Sequence, residues 1–167
     1  HRAADRGGIA QSTTGHEGSL ESGRVSPRGV AAIPGRSRLR IAYLDTSGLA
    51  AVLLSEPGAT ELGLEKYDSV WASNLLEAEL LSVIRREGMT VSRADWLHHL
   101  QWVLPDRPLS LELEQVYSHG PIRGADAWHL ACALFLSPRA EVVFVSLDSR
   151  QRDLARLLGF EVAPPPA

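Results

Sequence analysis

From residue 40 onward the chain alternates short, fully apolar runs with longer stretches whose apolar residues recur every three or four positions. Residues 40–45, "RIAYLD", form a short apolar run that ends on Asp45 and predict a buried strand. The stretch 47–55, containing "LAAVLL", predicts a helix that is broken by Pro57-Gly58. Residues 59–67 predict a second helix and residues 69–72 a short strand. Over 74–87, Leu76, Leu80 and Val83 share one stripe, with Ser73 as the expected N-cap and Gly88 as the stop. Residues 92–104 predict another helix, capped around Ser92 and Asp95 and halted by Pro105. Residues 108–117 fit a strand running into a short helix. A well-marked helix over 126–136 closes at Ser137-Pro138, "EVVFVS" (141–146) is a buried strand, 149–158 is a helix ended by Gly159, and 160–162 form a last short strand. Strands alternating with helices predict an α/β fold: a mainly parallel sheet of about five strands, covered by helices on both faces. Ligands of such sheets sit at the carboxyl ends of the strands. No internal repeat interrupts this order.

Residues 1–40 lack this texture: they hold no aromatic residue, 7 glycines and 5 serines. Such a segment buries too little to offset its ordering entropy. The expected organisation is a disordered extension over 1–39, one folded domain over 40–163 and a coil over 164–167. A chain of 167 residues, 44% hydrophobic and 22% charged, suits one globular domain. The single cysteine, Cys132, excludes an internal disulfide and fits a reducing compartment. The longest apolar run, 130–136, falls far short of the roughly 20 residues of a membrane span. The first residues show no secretion-signal pattern, so the expected location is the cytoplasm. Residues 1–40 carry 7 arginines against 3 acids, whereas 41–167 carry 10 basic residues against 17 acids. A net-acidic domain argues against a broad basic grip on nucleic acid, but it leaves room for a local basic rim around an acidic site.

Four acids then draw attention. Asp45 and Asp148 each follow a predicted core strand, where an ionised carboxylate is costly unless balanced. Each could cap the helix that follows. Glu79 lies between Leu75 and Val83, inside the apolar stripe, and needs a partner such as Arg86 or a cation; Glu77 points well around the helix. Asp126 opens a predicted helix and suits a cap. His129, three residues on, would allow an Asp-xx-His metal pair or a local hydrogen bond. The adjacent His98-His99 do not have helical metal spacing, and Trp128 and Phe135 suit a core or an interface. Oxygen-only ligands from separate elements, with no Cys/His cluster, suit Mg²⁺ or Mn²⁺. Such ions act on phosphodiesters. A phospho-acceptor role for Asp45, as in a receiver or phosphatase, is a second enzymatic reading, though Ser47 stands where a paired acid would be. There is no glycine-rich phosphate loop and no Gly-x-Ser-x-Gly elbow.

Four stretches, in order, resemble the PIN-domain ribonucleases and, within them, VapC-type toxins: "YLDTSGLA", "ASNLLEAELLSVIRRE", "IRGADAWHLACAL" and "FVSLDSRQRDLARLLGFEV". "LDTS" alone is weak, whereas "ADAWHLA" followed by a strand, an Asp and "LARLLGFEV" is more specific. The similarity spans about 40–162 and leaves the N-terminal extension outside. It implies a PIN-like three-layer sandwich and a Mg²⁺- or Mn²⁺-dependent endoribonuclease. It also implies Asp45 and Asp126 as central metal ligands, Glu79 as a direct or water-mediated ligand, and Asp148 completing the acidic pocket. Thr46, Ser47 and Arg123 would help position substrate, with Arg85, Arg86, Arg150 and Arg152 as further candidates for the basic rim. His129 would be structural. Implied partners are RNA, a VapB-type antitoxin and a second copy of the chain, with no membrane. Trp96 and Trp102 are candidates for the antitoxin contact or for the core. The alternative is a PIN fold that binds partners without cutting.

Overall fold

β1 (Arg40–Leu44) is the central strand of a five-stranded sheet ordered β3-β2-β1-β4-β5, with β2 at Ser69–Ser73, β3 at Leu100–Val103, β4 at Glu141–Val145 and β5 at Glu161–Ala163. All four pairings are parallel; Ala42, for instance, lies level with Val70 and Val143. The computed structural model describes residues 38–90 and 98–165. The expected N-terminal extension up to residue 37, Trp96 and residues 166–167 lie outside the described residues.

Strand alternation divides the core in two. Ile41, Tyr43, Val142, Phe144 and Val162 point to one face, and Ala42, Leu44, Val143, Val145 and Ala163 to the other. Both faces are covered, which is why the strands read as continuous apolar runs. Helices α1 (Thr46–Leu54) and α2 (Leu75–Arg86) bring Leu49, Leu76 and Leu80 to the Ala42–Leu44 face. On the opposite face, α3 (Ser110–Ser118), α4 (Gly124–Leu136) and α5 (Ser149–Leu157) supply Val116, Leu130 and Leu154. Eight of the thirteen residues of α4 are buried, so its apolar surface is not a stripe but nearly the whole helix. From β1 the chain steps outward to β2 and β3, then returns to place β4 on the other side of β1. The carboxyl ends of β1 and β4 therefore flank the point where the strand order reverses, the usual ligand crevice of an open parallel sheet.

Several expectations need correction. The helix expected over 92–104 does not extend to its end, because Leu100–Val103 form the edge strand β3, with Leu100 and Val103 buried and Gln101 exposed. The segment 59–67 forms two short 3₁₀ turns, Ala59–Leu62 and Leu64–Lys66, since Gly63 in the left-handed region interrupts it. Residues 108–117 contribute no strand, and α3 begins directly at Ser110. Ser73 is the last residue of β2 rather than a cap, and Asn74 precedes α2 without a side-chain bond. Trp102 packs partly buried against the α1–α2 core.

Phe144 is fully buried and stacks on Tyr43, with centroids 5.6 Å apart and planes 13° from parallel. Phe144→Ala is expected to cost about 3–5 kcal/mol, seen as a lower urea midpoint at unchanged slope. A midpoint like that of the wild type would mean that this pair does not anchor the core.

Candidate active site

Asp45 ends β1 and begins α1. Its extended backbone lets the side chain turn back over the helix start, where Oδ1 accepts the Gly48 N–H at 2.9 Å. Its other donors are the Ser47 hydroxyl, 2.9 Å from both carboxylate oxygens, and the Ser146 hydroxyl, 2.9 Å from Oδ2. Asp45 is only 4% exposed. Burial pushes its pKa up, against the Gly48 amide, the charge of His129 and the two serine hydroxyls, which pull it down. A carboxylate has about four acceptor positions, so these three donors leave one. This depth argues against Asp45 as a phospho-acceptor open to solution. Ser47, a candidate for positioning substrate, bonds Asp45, and its oxygen accepts the Leu147 N–H at 2.9 Å.

Asp148 stands at the corresponding place after β4, capping α5 by accepting the Gln151 N–H at 2.8 Å. The spacing Asp148-Ser-Arg-Gln151 reads as a capping box, in which the glutamine would reach back to the cap's own N–H. Here Gln151 is diverted. Its Oε1 lies 3.1 Å from the Ser146 hydroxyl, and its Nε2 donates to the Asp126 carbonyl at 3.3 Å. Ser146 in turn accepts the Asp148 N–H at 3.0 Å. Two fully buried polar residues thereby tie the elements that carry Asp45, Asp126 and Asp148 to one another. Sequence reasoning missed both. The signal available was a serine at the inner end of a core strand and a glutamine one turn into the next helix.

Asp126 is not a cap. Helix α4 starts at Gly124 after an extended Arg123, which leaves Asp126 in the first turn with its side chain available to the crevice. Asp126 and Asp148 line one pocket of about 230 Å³ together with Ile122, Arg123 and Arg150. Burial raises the Asp126 pKa, the charge of Asp148 raises it further and that of Glu79 adds to this, while Arg123 and His129 oppose. With Glu79, three carboxylates thus stand against the two guanidinium groups of Arg123 and Arg150, a balance that favours a cation. Arg150 also donates to the Pro121 carbonyl at 2.6 Å.

Glu79 approaches from α2. Its Oε2 accepts from the Thr46 hydroxyl and from His129 Nε2, the latter at 3.0 Å. The His129 bond is the main cause of a lowered Glu79 pKa, with burial opposing and Thr46 assisting. The alternative partner Arg86 is turned away, toward Glu87 at 3.0 Å. The Asp126–His129 metal pair does not form: both ring nitrogens are engaged, Nε2 by Glu79 and Nδ1 by the Tyr43 hydroxyl at 3.1 Å. Among the described residues, no three His, Cys, Asp or Glu side chains converge closely enough to make a metal shell. Asp126 and Asp148 thus line one pocket, Glu79 acts on Asp126 through its charge, and Asp45 is held by its own hydrogen bonds at the end of β1. The donor set is all carboxylate, as a hard cation requires.

Removing the buried charge of Asp45 while keeping the side-chain shape separates stability from chemistry. In the metal-free protein, the Tm of the wild type is expected to rise relative to that of Asp45→Asn as the pH is lowered. A raised folded pKa means that the protonated form of Asp45 favours the fold, and that this contribution is lost as pH rises through the raised value. The relative gain should build up as pH falls toward the ordinary aspartate value of about 4. A melting series of both proteins across that range checks this, and a wild-type Tm that drops relative to the variant with acidity would contradict it.

Residues 42–157 match the PIN domain family, a span that includes all four acids. The chain is also 32% identical over 133 residues to Ribonuclease VapC47 of Mycobacterium tuberculosis (strain CDC 1551 / Oshkosh), covering 75% of this chain and 97% of that protein. On the family match and this relative together, the chain belongs to the PIN-domain family, among its VapC-type ribonucleases.

Proposed function

We propose that this chain is an endoribonuclease that hydrolyses RNA phosphodiesters with Mg²⁺ or Mn²⁺, and that it is the toxic member of a toxin–antitoxin pair. The observation that carries the reading is the shared pocket of Asp126 and Asp148 beside Arg123, at the sheet's reversal point, with Glu79 adding to its negative field. Asp126 and Asp148 are the residues that would hold the ion, with Asp45 and Glu79 completing the acidic set, Glu79 through its second oxygen. A divalent ion supplies Lewis-acid polarisation of the phosphodiester and activation of water. The chain's own part is to hold the carboxylates in register and to offer the backbone phosphates the guanidinium groups of Arg123 and Arg150. An acidic centre with an arginine edge suits a polyanion that approaches by way of its counterions.

The same reading carries the expected partners, a VapB-type antitoxin and a second copy of the chain, and a cytoplasmic setting. These rest on family membership. Among the described residues, no helix is long and apolar enough to cross a membrane.

Purified protein incubated with a single-stranded RNA should produce discrete fragments only when Mg²⁺ or Mn²⁺ is added. Asp126→Asn and Asp148→Asn should each lower the cleavage rate by at least about a hundredfold, in line with the loss of a group that stabilises charge in the reaction, without lowering Tm. Cleavage undiminished in both variants would overturn the proposal.

A further inference from the structure

Glu79 differs from the other three acids in how it is carried. Asp45 and Asp148 are helix caps fixed by backbone amides, and Asp126 sits on a short side chain in a first turn. Glu79 is in the body of α2, on a side chain with three rotatable bonds and 30% side-chain exposure. Left alone, such a side chain samples several rotamers. It is held by two groups from outside its own helix, Thr46 from the start of α1 and His129 from α4.

His129 is itself immobilised. It is 2% exposed, and its Nδ1 lies 3.1 Å from the hydroxyl of the fully buried Tyr43, whose ring meets the imidazole edge-on at 6.1 Å. The Ser73 hydroxyl lies farther from the same nitrogen, at 3.5 Å. Tyr43 is fixed by its stack on Phe144. A chain of contacts thus runs from the middle of the core to the edge of the acidic site. An ionised glutamate only accepts hydrogen bonds, so the ring nitrogen facing it must carry the proton. The Nε2–H therefore points at Glu79 whatever the state of Nδ1. Both Thr46 and His129 bond the same oxygen, Oε2, and no hydrogen bond to Oε1 is found among the described residues.

We propose that His129 is a positioning residue which, together with Thr46, pins Oε2 of Glu79 and so presents Oε1 as the oxygen available to a cation. This gives Thr46 a role in orienting an acid rather than substrate, and it makes His129 more than a packing residue. The inference rests on the proposed metal-dependent reading of the site. Loss of an outer partner of a metal-binding carboxylate commonly weakens affinity by about 10- to 100-fold.

The test uses two substitutions that divide the functions of the imidazole. His129→Gln keeps an N–H donor near the position of Nε2. His129→Asn reaches only as far as Nδ1, keeping the Tyr43 contact and abandoning Glu79. Mn²⁺ affinity is measured calorimetrically on the full chain without RNA, alongside Tm. The expected result is a 10- to 100-fold weakening in His129→Asn, near-wild-type affinity in His129→Gln, and similar Tm losses in both. In a Glu79→Gln background, His129→Asn should bring no further loss of affinity, because the effect passes through Glu79. If the two variants weaken alike, in step with Tm, or if the loss persists in the Glu79→Gln background, His129 is a packing residue and the inference falls. Should His129→Asn fail to fold, Thr46→Val against Thr46→Ser makes the same comparison at the other bond. A wild type that binds no Mn²⁺ overturns the metal-dependent reading instead. In that case the bond is still tested in the metal-free protein by the ¹⁵N-resolved signal of the His129 Nε2 proton, which should exchange slowly and lose its protection in Glu79→Gln.

Discussion

The structure is organised around one costly object, the carboxylate of Asp45, which is nearly out of water at the end of the central strand. Such a group is tolerable only when its hydrogen bonds are made, and three donors make them: an amide of α1 and the hydroxyls of Ser47 and Ser146. Those donors are themselves committed, Ser47 to the Leu147 amide and Ser146 to the Asp148 amide. Satisfying one buried acid thus fixes the turn after β4 against the turn after β1. Gln151 extends the arrangement to the backbone of Asp126. The spacing of the acidic site is a by-product of paying the polar debts of a buried strand end.

This explains why the acids can serve a ligand without being gathered around one. Three sit on backbone turns held by a common network, and the fourth is brought in by side-chain bonds from across the sheet end. Burial, with repulsion from Asp148 and Glu79 added, keeps Asp126 reluctant to ionise, whereas the His129 contact makes Glu79 ionise readily. Two neighbouring carboxylates are therefore pushed in opposite directions by their surroundings, a recurrent feature of functional sites.

What could be read from the chain followed from locality. The strand ends at Asp45 and Asp148 and their capping spacing are short-range signals, and both acids do cap helices. The apolar runs 41–44 and 142–145 announced central strands because both faces of the sheet are covered. Leu100–Val103 was not legible: an edge strand of four residues, only half of it buried, carries too few positions to display a period of two. Asp126 looked like a cap because aspartate is a common one, yet the helix starts two residues earlier, at Gly124. The partners of Glu79 lie 33 and 50 positions away along the chain, so no local pattern could have named them.

The two outer strands have a consequence for how this protein meets other chains. β3 is four residues long and β5 three, with Pro164 directly after β5. Each border of the sheet offers only a few backbone groups to an incoming strand, and proline ends the offer on one side. Growth by adding strands, the route to ribbons and fibrils, is discouraged at both borders. Association with another polypeptide is favoured instead at helix surfaces and side chains, where it is selective and reversible.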